Sequence, residues 1–200
     1  MLRRCFHLAA ASVLLLLLCP VWIGIAVAIK CSDNGPIFYR GVRIGRFGRP
    51  FRIFKFRTMV TDAERLGGPS TSDDDPRITP IGRFLRQYKL DEIPQLFNVL
   101  TGEMNLVGPR PEVEPEVRTY SDVERRLLRV RPGITDYASI RFHNEGEILK
   151  GSANPHEAYR RIIRPEKIRL GLEYVRDPRL TTDLRILLLT AATLLRSRLR

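Results

Sequence analysis

At 200 residues the chain is long enough for one domain with a real core and short for two. With 34 Lys and Arg against 22 Asp and Glu, its formal net charge of +12 favours polyanionic partners: nucleic acid, anionic lipid headgroups or phosphorylated small molecules. A hydrophobic share of 44% excludes a disordered chain. The three cysteines, Cys5, Cys19 and Cys31, lie near the N-terminus without metal-ligand spacing, which excludes a disulfide framework and points to a reducing compartment.

From Leu8 to Ile29 the chain carries no charge, about the length that crosses a bilayer as a straight helix. Arg3-Arg4 before it and Ala26-Val27-Ala28 near its end have the form of a signal peptide, but the run is long for one. A spanning helix and a helix that enters and leaves on one face both remain open. Pro20, near the middle, removes a backbone hydrogen bond and kinks the run. Cations flank both ends (Arg3 and Arg4, then Lys30, Arg40 and Arg43), so charge bias selects neither end as the cytoplasmic one.

Gly35-Pro36 opens two β-rich runs, Ile37–Ile44 and Phe51–Thr58, joined by the turn Gly45-Arg46-Phe47-Gly48. Alternation in the second run puts Phe51, Ile53, Lys55 and Arg57 on one face and Phe54 and Phe56 on the other. The cations then either project together at a site or are the solvated charges of an edge strand. Thr61–Asp75 reads as a loop, with Asp73-Asp74-Asp75 a solvated acidic turn rather than a metal site. Ile78–Lys89 has helical spacing, with Arg83, Arg86 and Lys89 offset from Ile81, Phe84 and Leu85. Ile93, Leu96, Phe97 and Leu100 mark the next helix, Val113–Arg131 a long charged one, His143–Ser152 a loop, and Pro155–Tyr174 another helix. Asp183–Arg200 joins a leucine-rich body to a basic end, so it either lies on anionic lipid or packs on the domain.

The chemistry concentrates in Asp91 and Glu92, set between the arginine stripe and the Gly108-Pro109-Arg110-Pro111 turn. Pro94 fits only a first helical turn, so Asp91 can be a helix N-cap. The same position suits phosphate chemistry: a helix start favours anions and the neighbouring cations lower a carboxylate pKa. A carboxylate there can attack phosphorus or hold a Mg²⁺ ion for direct transfer. His7, His143 and His156 are scattered, and there is no G-x-S-x-G, Walker or dinucleotide glycine pattern. A phosphate site must therefore be built from cations and helix ends.

Three stretches in order, GPIFYRGVRIGRFGRPFRIFKFRTM, DPRITPIGRFLRQYKLDEIPQLFNVLTGEMNLVGPRPE and RPGIT, resemble the bacterial sugar transferases, the small monotopic phosphoglycosyl transferases. The resemblance is strong from Gly35 to Thr135. It implies transfer of a sugar 1-phosphate from a UDP-sugar to polyprenyl (undecaprenyl) phosphate, releasing UMP. It also implies Asp91 as nucleophile and metal-associated carboxylate, Glu92 as its partner, Mg²⁺ as cofactor, and Lys55, Arg86 and Arg110, with Arg57 beside them, as phosphate ligands. That family's membrane helix is re-entrant, which implies the same for Leu8–Ile29 with its kink at Pro20.

The expected protein is α+β and mainly helical. Residues 1–30 form a Pro-kinked re-entrant membrane helix, and residues 31–200 a compact cytosolic domain with a short β-hairpin and a membrane-surface C-terminal helix. It would sit at the cytoplasmic face of the bacterial inner membrane with Met1 and Arg200 on that side, as the minimal form of the family. Membrane lipid is then a partner and nucleic acid is not. The competing view, a membrane-anchored basic protein for nucleic acid or acidic lipid, lacks the interleaved exposed aromatics expected of it. Two departures stand out: Cys19-Pro20 where Ser-Pro is common, and Asp136–Phe142 after RPGIT.

Overall fold

The computed structural model describes residues 1–67 and 70–196. Two helices lead the chain, α1 (Leu2–Leu17) and α2 (Cys19–Asp33), bent by 62° at their junction. Pro20 stands in the first turn of α2, where its missing N–H costs no internal bond. Among the described residues no single helix is long and apolar enough to cross a membrane, although the bent pair together has the length and composition.

Both ends of that pair are tied to the rest of the protein. Near the start, Arg4 donates to the carbonyls of Val99 (2.5 Å) and Met104 (2.9 Å) and to Asn105 Oδ1 (3.0 Å). Arg3 Nε donates to the buried Asp183 at 2.5 Å, and His7 meets the same carboxylate at 3.1 Å. At the far end Asp33 is gripped by Arg57. The bend itself is bare, with Leu16 and Leu17 76% and 69% exposed, and Val13, Val21, Ile23 and Val27 exposed around it.

The hairpin forms as read. Strands β1 (Phe38–Tyr39) and β2 (Val42–Ile44) run antiparallel to β4 (Lys55–Phe56) and β3 (Pro50–Arg52) in one continuous register, interrupted between Tyr39 and Val42. Phe47 and Gly48 turn the chain with φ of 60° and 74°. Phe51 and Ile53 enter the main core, whereas Phe56 enters a second cluster with Ile25, Ile29 and Leu85. The strand is thus covered on both sides rather than solvated on one.

A four-residue helix, α3 (Ala63–Leu66), interrupts the predicted 61–75 loop. Helix α4 (Pro80–Gln87) starts where Thr79 Oγ1 accepts the Gly82 amide at 3.0 Å. α5 (Gln95–Leu100) follows a 3-10 turn over Leu90–Glu92. β5 (Asn105–Val107) pairs in parallel with β6 (Gly133–Thr135), so the RPGIT segment lies against the turn that carries Arg110. Gly133 is required there: a Cβ would sit 2.0 Å from the Gly108 nitrogen.

Three more sequence expectations change. Val113–Arg131 is not one helix: α6 (Glu114–Arg118) ends and a 3-10 turn runs over Glu124–Arg129. Ser121 and Glu124 restart the chain as a capping box, each side chain bonding the other's amide, at 3.3 and 2.7 Å. The 143–152 segment contains a short helix, α8 (Glu145–Leu149), after α7 (Tyr137–Arg141). The predicted 155–174 helix is α9 (Pro155–Ala158), a π turn over Tyr159–Ile163, and α10 (Arg164–Arg176).

α11 (Leu180–Arg196) covers the leucine-rich C-terminal segment; residues 197–200 of its basic end lie outside the described residues. It buries Asp183 and Ile186 while Leu184, Leu188, Leu189 and Leu195 stay exposed. It therefore packs on the domain by one face and leaves an apolar stripe on the other. The main core gathers Ala11 of α1, Leu96 and Val99 of α5, Leu106 and Val107 of β5, Tyr174 of α10 and Ile186 of α11.

Candidate active site

Four consecutive residues, Lys55 to Thr58, connect the parts of the site. Phe56 is 1% exposed and fixes the segment by stacking on Phe38 and meeting Trp22 edge-on, each at 5.5 Å. Lys55 Nζ donates to Glu92 Oε1 at 2.9 Å, and Thr58 Oγ1 accepts from Arg86 Nε at 2.9 Å. Helix α4 reaches this strand closely: a Cβ on Gly82 would lie 2.0 Å from the Thr58 carbonyl oxygen. That glycine lets Arg86, one turn later, come down beside the carboxylates.

Asp91 and Glu92 are presented by the tight turn between α4 and α5. Lys89 enters it with φ of 55°. The first residue of α5 is Gln95, preceded by Pro94 rather than by a capping side chain, so Asp91 is not the cap of that helix. Removing the capping role leaves a buried carboxylate needing another explanation.

The two carboxylates have opposite environments. Glu92 is paired: Arg110 grips it in a bidentate fork, with Nη1 2.8 Å from Oε2 and Nη2 on Oε1, while Lys55 holds Oε1 from the other side. Burial alone would raise its pKa, but Arg110 and then Lys55 outweigh that and hold it well below the usual value. Asp91 is raised, first by burial, with the Glu92 charge adding to it against Lys55, Arg86 and Lys89. Among the described residues no cation closes on Asp91. The fields of these groups overlap, since Lys55 and Arg86 each sense both carboxylates.

The structure therefore brings together Asp91, Glu92, Lys55, Arg86 and Arg110. Arg57 is not with them; its guanidinium turns to Asp33 and to the Pro36 carbonyl. Asp75 forks with Arg77, the Asp73 amide donates to the Gly146 carbonyl, Asp74 Oδ2 accepts the Gly151 amide, and no cluster of three metal-type side chains occurs among the described residues. Of the two carboxylates only Asp91 could hold a Mg²⁺ ion, because both Glu92 oxygens are taken by Arg110 and Lys55. Mg²⁺ takes few protein ligands and completes its shell with water and substrate phosphate, and Asp91 is the carboxylate left without a cation.

Sequence reasoning passed over Asn98. It is fully buried in α5, accepts the Phe54 amide at 2.8 Å, and donates to the Arg52 carbonyl at 2.9 Å and Glu103 at 2.7 Å. It thereby pins the strand before Lys55 to the helix after the dyad. Its signal was a lone amide inside the apolar run Leu96-Phe97-Asn98-Val99-Leu100.

A model of the family described as "Bacterial sugar transferase" matches residues 1–197. The chain belongs to that family. It is 40% identical over 196 residues to an undecaprenyl-phosphate glucose phosphotransferase of Komagataeibacter xylinus, covering 94% of this chain and 35% of that protein. A UDP-glucose:undecaprenyl-phosphate glucose-1-phosphate transferase of Escherichia coli K12 is 37% identical over 195 residues, 95% of this chain and 39% of the relative. The exopolysaccharide production protein ExoY of Rhizobium meliloti is 39% identical over 160 residues, 72% of this chain and 71% of the relative. The chain thus spans between a third and two fifths of the first two relatives.

Proposed function

We propose that this chain transfers a sugar 1-phosphate from a UDP-sugar to polyprenyl phosphate at the cytoplasmic face of a bacterial inner membrane, through a covalent intermediate on Asp91. The observation that carries the reading is the asymmetric dyad: one buried carboxylate without a cation, beside a second one holding two cations suited to a diphosphate. Family membership and the relatives' names support the reaction class.

In the first step an Asp91 oxygen attacks the sugar-bearing phosphorus. The P–O bond to the uridine-side phosphate breaks, and UMP leaves with the electron pair. In the second, a phosphate oxygen of the lipid attacks the same phosphorus and releases Asp91, giving the polyprenyl-diphosphate sugar. Burial keeps Asp91 poorly solvated and hence reactive once ionised. Arg110 and Lys55, held by Glu92 in the free protein, are preorganised cations that the diphosphate meets, with Arg86 on the other side of the turn. Mg²⁺ held by Asp91 together with the substrate phosphates would neutralise charge developing on the leaving phosphate.

The bent α1–α2 pair provides the membrane attachment. Its ends are held by the domain and its bare apolar bend projects away, the arrangement of a helix that dips into a bilayer and returns. The exposed leucines of α11 supply an interfacial face beside it. The dyad then lies where a soluble nucleotide sugar and a lipid phosphate can meet. Scanning a panel of UDP-sugars, UDP-glucose first, for polyprenyl-phosphate-dependent UMP release tests this reading. Release with at least one donor is expected, and none with any donor would refute it.

A further inference from the structure

We propose that Arg57 is a positioning residue for the lipid acceptor, not a phosphate ligand. It fixes the exit of α2 to the strand that presents Lys55. The inference rests on the transferase reading above.

Every nitrogen of the Arg57 guanidinium is used. Nη1 donates to Asp33 Oδ2 at 2.5 Å, Nη2 donates to Asp33 Oδ1, and Nε donates to the Pro36 carbonyl at 2.6 Å. Its side chain is 8% exposed. The chain wraps around it: α2 ends at Asn34 with φ of 56°, Asp33 Oδ1 also accepts the Gly35 amide at 3.0 Å, and the Arg57 amide donates to the Ile37 carbonyl at 2.9 Å. Gly35 lets the guanidinium come close: a Cβ there would sit 2.8 Å from Arg57 Nη2 and push it off the Asp33 fork. A diphosphate could reach this guanidinium only by displacing a forked carboxylate and unwinding the helix exit. Lys55, two residues away, faces Glu92 instead.

The segment between them transmits position. Phe56 is locked under Ile25 and Ile29 of α2 and Leu85 of α4. Beyond Arg57, Thr58 holds Arg86. A short rigid strip thus links the bilayer-side helix, the dyad and the arginine stripe. If the α1–α2 pair is the membrane attachment, a lipid headgroup at the interface would approach along the α2 exit, so loosening the Arg57–Asp33 fork would disturb that side while Lys55, Arg86 and Arg110 stay in place.

The test is steady-state kinetics in detergent or nanodiscs, varying UDP-sugar and polyprenyl phosphate separately, for Arg57→Ala, Asp33→Ala, the double variant and the milder Arg57→Lys and Asp33→Asn. Expected is a rise of about tenfold in KM for polyprenyl phosphate, similar in both alanine variants and no larger in the double, with KM for the UDP-sugar within about twofold of wild type. A rise in UDP-sugar KM in Arg57→Ala, with Asp33→Ala unaffected, would overturn the proposal and make Arg57 a phosphate ligand. Equal loss of kcat with neither KM moved, together with a lowered melting temperature even in the milder variants, would overturn it in favour of a purely structural pair. A wild-type protein that releases no UMP from any donor would remove the transferase reading and this proposal with it.

Discussion

Replacing Glu92 by Gln separates the two carboxylates most cleanly. Glu92 receives Lys55 at 2.9 Å and Arg110 at 2.8 Å, with a further bond from the Arg110 fork. A hydrogen bond to a charged group contributes about 1.5–3 kcal/mol, and breaking a buried pair by removing one partner costs about 3–5 kcal/mol. Side-chain exposures of 20% for Lys55 and 32% for Arg110 place the loss at the low end, about 3 kcal/mol. For a protein of this size that is a fall of roughly 6–12 °C in melting temperature. Because the folded pKa of Glu92 lies well below its ordinary 4.5, its contribution is full above pH 4.5 and fades as pH falls towards the folded value. Thermal melts of wild type and Glu92→Gln from pH 7 down to pH 4 should therefore show a gap that is constant at first and then narrows. Equal melting temperatures at pH 7, or a gap that widens on acidification, would refute the pairing argument.

Asp91→Asn should move stability the other way. Its folded pKa is raised above the ordinary 3.8 by burial, so the ionised carboxylate destabilises the fold at neutral pH, and the inactive variant should melt higher than wild type there. A lower melting temperature would show Asp91 to be a structural ion. Activity should rise with pH through the raised Asp91 pKa. In Glu92→Gln that acidic limb of kcat/KM should shift to lower pH, because a repelling charge is gone and two cations are freed; an unmoved limb would exclude Asp91 as the titrating nucleophile. Stripping divalent cations with EDTA should abolish UMP release and Mg²⁺ should restore it, whereas full activity in EDTA would remove the metal from the account. Asn98→Ala leaves the Phe54 amide and the Arg52 carbonyl without their side-chain partner. We expect a loss of about 3 kcal/mol and a fall in kcat, read by melting and UMP release.

Much of this arrangement was legible in the residues, for identifiable reasons. Gly45–Gly48 between two β-rich runs could only be a turn, and the helical spacing of Ile78–Lys89 gave α4 to within two residues at each end. Local pattern could not exclude Asp91 as a helix cap, because Pro94 permits two helix starts and only the packed turn shows which one is used. Alternation placed Lys55 and Arg57 on one face, but β4 ends at Phe56, so the two cations part towards Glu92 and Asp33. The break in 113–131 lay in Ser121 and Glu124, a capping pair hidden inside a run of charges. Asn98 was missed because two of its three partners are backbone groups more than 40 positions away, which no local pattern encodes.

The central claim is that Asp91 carries the phosphosugar between donor and acceptor. Incubating the purified protein with UDP-sugar radiolabelled in the sugar, without polyprenyl phosphate, and resolving protein from free label tests it directly. About one label per active molecule should remain on the wild-type chain, map to the peptide containing Asp91, discharge on adding polyprenyl phosphate, and be absent from Asp91→Asn. Acceptor-dependent turnover by Asp91→Asn at the wild-type rate would contradict it.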